Sequence, residues 1–498
     1  MAEGSRRRGR SRVLRRAVLA TVGCGAVAGL VAGVLALTGD DPAQVEAWKT
    51  PAPVPAAPAL SPLAVSTTPP SRLTAQAAVE DALAGVLDDP ALGARVGVSV
   101  LDASGEPVYE RDGGLPIAPA STIKTLTAAA VLETVGPDAR LTTSVVSGEA
   151  PDEVVLVGGG DPTLTREPAP EHGQGSAHER TEDLLPGGDT EPARLPDLAA
   201  DTAAALREQG TTSVRLRVDD TLFTGPTQSP TWPSTYVSGG YVAPVTALAA
   251  DAGGVTPGGL TREADPPLAT GALFAELLEE EGIEVRGGVS REVAPPGAER
   301  LARVQSQPVA TLVETMLEES DNDIAETLLR HAARSAGHPA SFSGGEAAVS
   351  DVLTELDVDP GGLEMYDGSG LSREDRVPPR VLARTLATAA HSAHGDLRPL
   401  VSGLPVAGFT GTLGERFSSS DAEPAAGVVR AKTGTLTGVS ALTGLVQDRD
   451  GRLLVFAVLT DGATSSTGAE AALDEVAAAL ASCGCVPAPT ASPSAPAP

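Results

Sequence analysis

The chain has 498 residues and a formal net charge of −29, because 65 Asp and Glu residues outnumber 36 Lys and Arg residues. Aromatic residues make up only 2% of the sequence. Nucleic-acid binding needs clustered basic residues and aromatic stacking surfaces, so this composition argues against a nucleic-acid partner. The hydrophobic content of 41% is sufficient for packed cores, and the length predicts roughly two or three domains.

The amino-terminal end has the pattern of a membrane anchor. Residues 1–16 are rich in arginine and predict a cytoplasmic tail, whereas residues 17–38 contain no charged residue. A helix of that length would be about 33 Å long, enough to cross the hydrocarbon core of a bilayer. The arginines would stay in the cytoplasm and the rest of the chain would lie outside the cell membrane. Secretion after cleavage of a signal peptide is the alternative.

Residues 39–72 are rich in proline and alanine and predict an extended linker, and residues 483–498 predict a disordered tail. The body between them has an α+β pattern. Helical periodicity marks residues 73–86 and 470–481, and strand-like runs lie at 95–101, 107–111, 428–432, 438–447 and 453–460. This order predicts one sheet whose edge strands come from both ends of the body.

The middle of the body has a different sequence pattern. Short strand-like runs lie at 154–157, 214–218 and 284–289. An irregular segment at 166–194 is rich in Gly, Pro, Glu and His. The pattern predicts a mostly β domain at 146–300, inserted into a catalytic domain formed by residues 73–145 and 301–482.

Cysteine, histidine and lysine are scarce. The cysteines are Cys24, Cys483 and Cys485, and the lysines are Lys49, Lys124 and Lys432. Three cysteines and six scattered histidines indicate neither a disulfide framework nor a zinc site, so we expect no metal and no cofactor. Cys483 and Cys485 could close a strained ring or remain thiols. Unlike arginine, a buried lysine can lose its proton, which draws attention to Lys124 and Lys432.

Ser121 and Lys124 stand three residues apart, just before a predicted apolar helix at 126–135. This spacing places both side chains on one face of the first turn, where the amine can touch the hydroxyl. Burial and the helix dipole favour the neutral lysine, which can act as a base. Taken alone, the pattern is more often a helix cap followed by a surface lysine.

Ser320 and Asn322 fall between two predicted helices, 309–317 and 324–333. A serine hydroxyl there can relay a proton, and an asparagine amide can orient a peptide bond. A capping loop is the alternative for this motif alone.

Lys432, Thr433, Gly434 and Thr435 stand at the end of a predicted strand. The amine and the two hydroxyls can hold a carboxylate while the backbone of an edge strand pairs with an extended peptide. A surface lysine whose stem packs against the protein is the alternative.

Together, S-x-x-K, S-D-N and K-T-G in this order resemble the motif set of penicillin-binding proteins and class A β-lactamases. Further segments resemble the D-alanyl-D-alanine carboxypeptidase/endopeptidase family of low-molecular-mass class C penicillin-binding proteins, peptidase family S13. These segments are GGGDPTL at 158–164, VDDTLF at 218–223, SDNDIAE at 320–326, DGSGLS at 367–372 and LPVAGFTGTL at 404–413. The resemblance implies a serine transpeptidase fold, with helices that flank a central antiparallel sheet.

The resemblance also implies a mechanism of acyl transfer. Ser121 would attack the carbonyl of a D-Ala-D-Ala bond with neutral Lys124 as its base. Ser320 would pass a proton to the leaving amine, and Asn322 would position the substrate amide. The substrate's terminal carboxylate would bind the Lys432-Thr433-Gly434-Thr435 motif, and the N–H groups of Ser121 and Thr435 would form the oxyanion hole.

The implied substrates are peptidoglycan stem peptides. The resemblance implies a carboxypeptidase that cleaves their ends, with endopeptidase cleavage of cross-links as a further implied activity. β-Lactams are the implied covalent inhibitors. No E-x-x-L-N pattern of a deacylating glutamate follows Asn322, so we expect slow release of β-lactams, although Glu355 keeps that point open. The alternatives are a β-lactamase and a catalytically silent module that binds the cell wall. No feature of the sequence indicates an oligomeric state.

Overall fold

The computed structural model describes residues 72–168, 191–391 and 393–484. The helices are α1 (Arg72–Leu83), α2 (Lys124–Thr134), α3 (Leu195–Glu208), α4 (Thr235–Ser238), α5 (Pro266–Glu280), α6 (Val309–Glu318), α7 (Asn322–Ser335), α8 (Phe342–Glu355), α9 (Pro379–Ala390), α10 (Arg398–Ser402) and α11 (Ser466–Ser482). The strands are β1 (Arg95–Asp102), β2 (Pro107–Arg111), β3 (Arg140–Ser147), β4 (Glu153–Val157), β5 (Ser213–Asp219), β6 (Glu284–Val285), β7 (Ser290–Arg291), β8 (Arg300–Pro308), β9 (Val429–Leu436), β10 (Val439–Gln447) and β11 (Leu453–Asp461).

Five antiparallel strands form the first sheet, in the order β2-β1-β11-β10-β9. Its edges come from the two ends of the body, as the sequence predicted. Along β11 the side chains alternate between two hydrophobic cores, since Ala457 and Leu459 enter one core while Phe456 and Val458 enter the other. A strand that is apolar on both faces requires a sheet that is covered on both sides.

Helices supply that cover. The core that contains Phe456 also contains side chains of α1 and α11, and the core that contains Ala457 contains side chains of α2 and of α6 to α10. Helix α2 lies in the middle of the second of these cores, and every residue from Lys124 to Leu132 is buried. A helix that is buried all round must carry small or apolar residues on every face, which explains the alanine run at 128–130.

Residues 140–308 contribute a second, mixed sheet in the order β6-β5-β4-β3-β8, with β7 also paired to β5. The predicted strands at 154–157 and 214–218 are present, but of the predicted run 284–289 only Glu284–Val285 is a strand. Two long helices, α3 and α5, pack on this sheet in a core of their own. The prediction of a mostly β insert is therefore wrong, because these two helices cover the sheet and contain more residues than its strands between 146 and 300. The buried positions of α3 do carry a helical signal, because they recur at intervals of three and four residues: 195, 198, 199, 202, 203 and 206. The proposed bounds of the insert stay a prediction.

The strand β9 is longer than predicted. The sequence indicated a strand at 428–432, with the motif at its end. In the structure the pairing continues through the motif, with Thr433 opposite Leu442 and Thr435 opposite Ser440. The whole Lys-Thr-Gly-Thr motif therefore lies in the edge strand rather than beyond its end.

Several predictions concern residues outside the described ranges. They are the cytoplasmic tail, the apolar segment 17–38, nearly all of the linker and most of the carboxy-terminal tail with Cys485. Cys483 lies within the described ranges and is buried. None of the helices in residues 72–168, 191–391 and 393–484 is long and apolar enough to cross a membrane.

Arg330 on α7 holds the segment that follows β5. Its guanidinium is buried and donates hydrogen bonds to the backbone oxygens of Thr224 (2.6 Å), Pro226 (2.9 Å) and Ala340 (2.8 Å). It also lies 4.3 Å from the centre of the Phe342 ring. Burial lowers the pKa of Arg330 to about 10, so the group is still charged at neutral pH. This contact attaches the segment to the catalytic body.

We expect Arg330→Met to lower the free energy of unfolding by about 3 kcal/mol or more, because it leaves three buried carbonyl groups without their donor. Urea denaturation measures this difference. Arg334→Met is the matched control on the exposed side of the same helix, and it should change the stability by less than about 0.5 kcal/mol. Equal effects of the two substitutions would contradict this role for Arg330.

Candidate active site

Ser121 lies in a tight turn, Ala120–Ile123, that leads directly into α2. Two glycines allow neighbouring segments to approach this turn. A Cβ atom at Gly370 would stand 1.9 Å from the backbone oxygen of Ala120, and a Cβ at Gly434 would stand 2.5 Å from the backbone oxygen of Pro119. Larger residues would not fit at either position, so both glycines are needed to close the site around Ser121.

Lys124 is fully buried, and its Nζ atom has three hydrogen-bond partners. They are Ser121 Oγ at 3.0 Å, Asn322 Oδ1 at 2.7 Å and the Ser369 backbone oxygen at 2.7 Å. A neutral amine has two N–H donors and one lone pair. Two of the partners can only accept, whereas the Ser121 hydroxyl can donate to the lone pair. The arrangement therefore fits a neutral lysine that takes the proton of Ser121.

Burial lowers the pKa of Lys124 to about 8. Nearby carboxyl groups act in the opposite direction; in order of effect they belong to Asp367, Glu326, Asp321 and Asp323. At pH 7 about a tenth of the amine is then neutral, a fraction sufficient for general base catalysis.

The orientation of Asn322 is set by a second contact. Its Nδ2 donates to the backbone oxygen of Tyr241 at 2.9 Å, so its Oδ1 must face Lys124. The side chain of Asp321 caps α7 by accepting from the N–H of Ile324 at 2.8 Å. The sequence motif is thus both a capping loop and part of the site.

Ser320 precedes this cap with a positive φ of 59° and lines the same cleft as Ser121. Within the described residues its hydroxyl makes no hydrogen bond to Ser121 or Lys124. A relay through Ser320 thus requires a bound substrate to bring the groups together, and its role as a proton relay stays a prediction.

The edge strand β9 presents backbone groups to the cleft. The N–H of Ala431 points away from β10, because it donates to the backbone oxygen of Pro405 at 3.0 Å. Backbone groups alternate in direction along a strand, so the N–H groups of Thr433 and Thr435 also point outward. Thr435 and Ser121 line the same cleft. The outward N–H of Thr435 is one of the two donors that the predicted oxyanion hole requires.

Lys432 is fully buried, and its Nζ donates to the Thr433 backbone oxygen at 3.2 Å. Burial, and secondly the charge of Lys124, hold the pKa of Lys432 well below its usual value. The hydroxyls of its neighbours are closer to the surface of the strand: Thr433 donates to Thr412 Oγ1 at 3.0 Å and Thr435 donates to Glu470 Oε1 at 3.0 Å. The hydroxyls of Thr433 and Thr435 would donate hydrogen bonds to a substrate carboxylate, and a charged Lys432 would attract that carboxylate without direct contact.

The cleft has a volume of about 900 Å³. Its lining includes residues of all three motifs, among them Ser121, Asn322 and Thr435. It contains no Asp or Glu within the described residues, and Glu355 stands at the end of α8 rather than in the cleft. The structure brings the predicted residues together, and their catalytic roles stay predictions.

Sequence reasoning assigned no role to several residues that hold the site together. The Ser369 carbonyl contacts Lys124 although the two residues are 245 positions apart. Asp323 also contributes, because its Oδ1 accepts from the N–H of Ala243 at 2.6 Å and its Oδ2 accepts from Arg262 at 3.0 Å. These residues fall in or beside the segments DGSGLS and SDNDIAE, which indicated a family but not a contact.

The chain matches the D-Ala-D-Ala carboxypeptidase 3 (S13) family over residues 79–264 and 258–482. It is 38% identical over 481 residues to the carboxypeptidase DacB of Mycolicibacterium smegmatis, in an alignment that covers 95% of this chain and 98% of that protein. It is 32% identical over 447 residues to the D-alanyl-D-alanine carboxypeptidase of Actinomadura sp. (strain R39), which covers 76% of this chain and 80% of that protein.

The fold is similar to that of penicillin binding protein 4 from Haemophilus influenzae. The TM-score to its crystal structure is 0.64 at 23% sequence identity, covering 81% of this chain and 98% of that one. The predicted α+β fold with a helix-flanked antiparallel sheet is confirmed.

We expect Lys124→Arg to reduce the rate of acylation of Ser121 by about 10² to 10⁴-fold, because a guanidinium keeps its proton and cannot act as the base. Stopped-flow measurement with a chromogenic β-lactam checks this. Lys49→Arg is the same chemical change in the predicted linker and should leave the rate unchanged. Normal acylation by Lys124→Arg would show that another group is the base.

Proposed function

Since the chain belongs to the D-Ala-D-Ala carboxypeptidase 3 (S13) family, we propose that it is a serine-type D-Ala-D-Ala carboxypeptidase acting on peptidoglycan stem peptides. The observation that carries this proposal is the buried Lys124 amine, whose lone pair is directed to the Ser121 hydroxyl by two acceptor groups. Acyl transfer needs an activated nucleophile and hydrogen-bond donors for the oxyanion, which would be Ser121 and the N–H groups of Ser121 and Thr435.

In the first step, Ser121 Oγ bonds to the carbonyl carbon of the penultimate D-Ala while its proton passes to Lys124 Nζ. The carbonyl oxygen becomes an oxyanion between the N–H groups of Ser121 and Thr435. The peptide C–N bond then breaks, and the leaving D-Ala nitrogen takes a proton through Ser320. In the second step, water attacks the ester and gives up a proton to neutral Lys124. The Ser121 Oγ–carbonyl bond then breaks, Ser121 Oγ takes this proton back from Lys124, and the shortened peptide leaves as a carboxylic acid.

Recognition of the leaving residue depends on its carboxylate. The hydroxyls of Thr433 and Thr435 would donate to it, and a carboxylate near Lys432 would favour the charged form of that amine. A peptidoglycan cross-link in which a D-configured residue with a free carboxylate follows the cleaved bond presents the same carboxylate to these hydroxyls. The endopeptidase reaction is therefore a second activity of the same site on a different substrate.

β-Lactams carry a carboxylate beside a strained amide, so we expect them to form the same ester on Ser121. Release of that ester requires an activated water. None of the described residues that line the cleft is Asp or Glu. The Glu470 carboxylate contacts the cleft at the Thr435 hydroxyl and makes no hydrogen bond to Ser121 among the described residues. We therefore expect slow release. Rapid turnover of the antibiotic would instead support the β-lactamase alternative.

The N-terminal sequence supports a location for this activity. The arginine-rich residues 1–16 and the uncharged segment 17–38 have the pattern of a single membrane anchor or an export signal. Either one would place the catalytic body outside the cytoplasmic membrane, where peptidoglycan lies. Cell fractionation of the wild-type protein and of a variant with residues 17–38 deleted tests this placement.

We expect the purified protein to release D-Ala from a peptide that ends in D-Ala-D-Ala and to be labelled by fluorescent penicillin. Ser121→Ala should do neither, and Ser466→Ala, at another serine that lines the cleft, should keep the labelling. Mass spectrometry of products from defined muropeptides separates the carboxypeptidase from the endopeptidase reaction. Labelling without release of D-Ala from any muropeptide would favour the silent wall-binding module.

Glu470 places a carboxylate on the Thr435 hydroxyl, where it competes with the substrate carboxylate. We expect Glu470→Gln to lower KM for a D-Ala-D-Ala peptide about two- to fivefold with little change in kcat, a modest effect because the group is partly exposed and screened. Glu475→Gln is the matched control, five residues further along α11 with the same change in charge. An equal change in KM for both variants would point to overall charge rather than to this contact.

A further inference from the structure

Two buried carboxyl groups that take no part in the proposed acyl transfer lie near Lys124 in the protein core. Asp367 follows α8 in a loop and Glu326 stands on α7, and both side chains are fully buried. Burying a carboxyl group is unfavourable unless it makes compensating hydrogen bonds. Both groups accept hydrogen bonds from the backbone of one short loop, Asp367–Gly370, and that loop supplies a hydrogen-bond acceptor to the Lys124 amine.

Asp367 holds the far end of the peptide unit that contacts Lys124. That unit joins Ser369 to Gly370: its carbonyl accepts from Lys124 at 2.7 Å, and its N–H donates to Asp367 Oδ1 at 2.7 Å. The second oxygen of Asp367 accepts from the N–H of Ser372 and from Nε1 of Trp232, both at 2.6 Å. The carboxylate thus fixes the direction in which the Ser369 carbonyl points.

Glu326 holds the near side of the same loop. Its Oε1 accepts from the N–H groups of Gly368 at 3.1 Å and Ser369 at 2.8 Å, and its Oε2 also lies 3.1 Å from the Gly368 nitrogen. Glu326 stands one turn after Asn322 on α7, so one helix positions two of the groups around Lys124.

The two carboxyl groups also act on Lys124 through their charge. Asp367 and Glu326 have the largest electrostatic effects that raise the pKa of the Lys124 amine against the lowering effect of burial. The other charged groups that face the amine are Asp321 and Asp323 at the start of α7 and Lys432 on β9. Two further groups face the carboxyl groups themselves. Asp375 is buried and hydrogen-bonded to Asp367, and burial followed by the charge of Asp367 raises its pKa. The charge of Glu326 also acts on Arg330. Burial and then Asp367 raise the pKa of Glu326 itself to about 8, so its titration overlaps that of Lys124.

We propose that Asp367 and Glu326 are positioning residues that hold the Ser369 carbonyl on the Lys124 amine and set the pH above which this amine accepts the Ser121 proton. Removing a negative charge near Lys124 favours its neutral form, so the amine becomes a base at lower pH. The proposal rests on the proposed function, because it concerns the base of the same acylation step.

Glu326→Gln is the informative variant. Glutamine keeps one oxygen, which can accept from both Gly368 and Ser369 as Oε1 does, so the loop is retained while the titrating group is lost. Because Glu326 loses its own proton in the same pH range as Lys124, its charge holds back only the upper part of the deprotonation of the amine. We expect the midpoint of acylation against pH to move down by roughly a quarter to half a unit, the lowest part of the curve to stay in place, and the curve to become a single step. At the pH where the wild-type rate is half of its plateau, the variant should reach roughly two-thirds to three-quarters of its own plateau.

Glu153→Gln is the matched control, since Glu153 is also buried but pairs with Arg217 on the second sheet. Acylation by a chromogenic β-lactam, measured with the full-length protein from about pH 5.5 to 9.5, gives the three profiles. The control should keep the wild-type midpoint. If Glu326→Gln also keeps that midpoint, or only lowers the rate equally at every pH, its proposed role is overturned.

Asp367→Asn tests the other half of the proposal. An asparagine has one acceptor oxygen and cannot accept on both sides, so its NH₂ would face an N–H group of Gly370, Ser372 or Trp232. We expect the acylation plateau to fall at least about tenfold while penicillin still labels Ser121; a wild-type plateau would overturn the role of Asp367. A wild-type protein that does not react at all contradicts the proposed function instead, which separates the two failures.

Discussion

A buried lysine amine with three hydrogen-bond partners is the constraint around which this protein is built. An amine in an apolar core is stable only if its donors are satisfied and its charge can be removed. Lys124 meets both conditions because Asn322 and Ser369 accept from it and Ser121 can donate to it. The three partners come from three separate parts of the chain, so the site exists only when α2, α7 and the loop after α8 are packed together.

The packing around α2 explains how those parts are brought together. The helix is buried on all sides, and its small residues let α7 and the other helices of that core approach closely. On the opposite side of Ser121, Gly370 and Gly434 remove the side chains that would keep the loop and the edge strand away. The lack of side chains at Gly370 and Gly434 also leaves the backbone groups of β9 available for a substrate. Packing and substrate access at the site therefore depend on the same small residues.

Sequence reasoning succeeded where a contact is local or where a pattern repeats. The pair Ser121 and Lys124 could be read as neighbours because three residues span one helical turn, and the strands of the first sheet follow a two-residue alternation. It missed α3, whose helical spacing is present but lies between short strand-like runs. It also ended β9 at Lys432, whereas the pairing with β10 continues through Thr433, Gly434 and Thr435, which carry no large apolar side chain to mark a strand. The roles of Ser369 and Glu326 could not be read at all, because they depend on contacts between distant parts of the chain.

The two buried lysines also explain why a chain that uses arginine almost everywhere keeps lysine at these positions. Each amine lies in the field of the other and in a dry environment, and both effects favour loss of a proton from Lys432. A substrate carboxylate bound beside Lys432, as proposed above, would supply a negative charge, so binding and protonation of Lys432 would be linked. Arginine, which keeps its charge in both states, could not respond in this way.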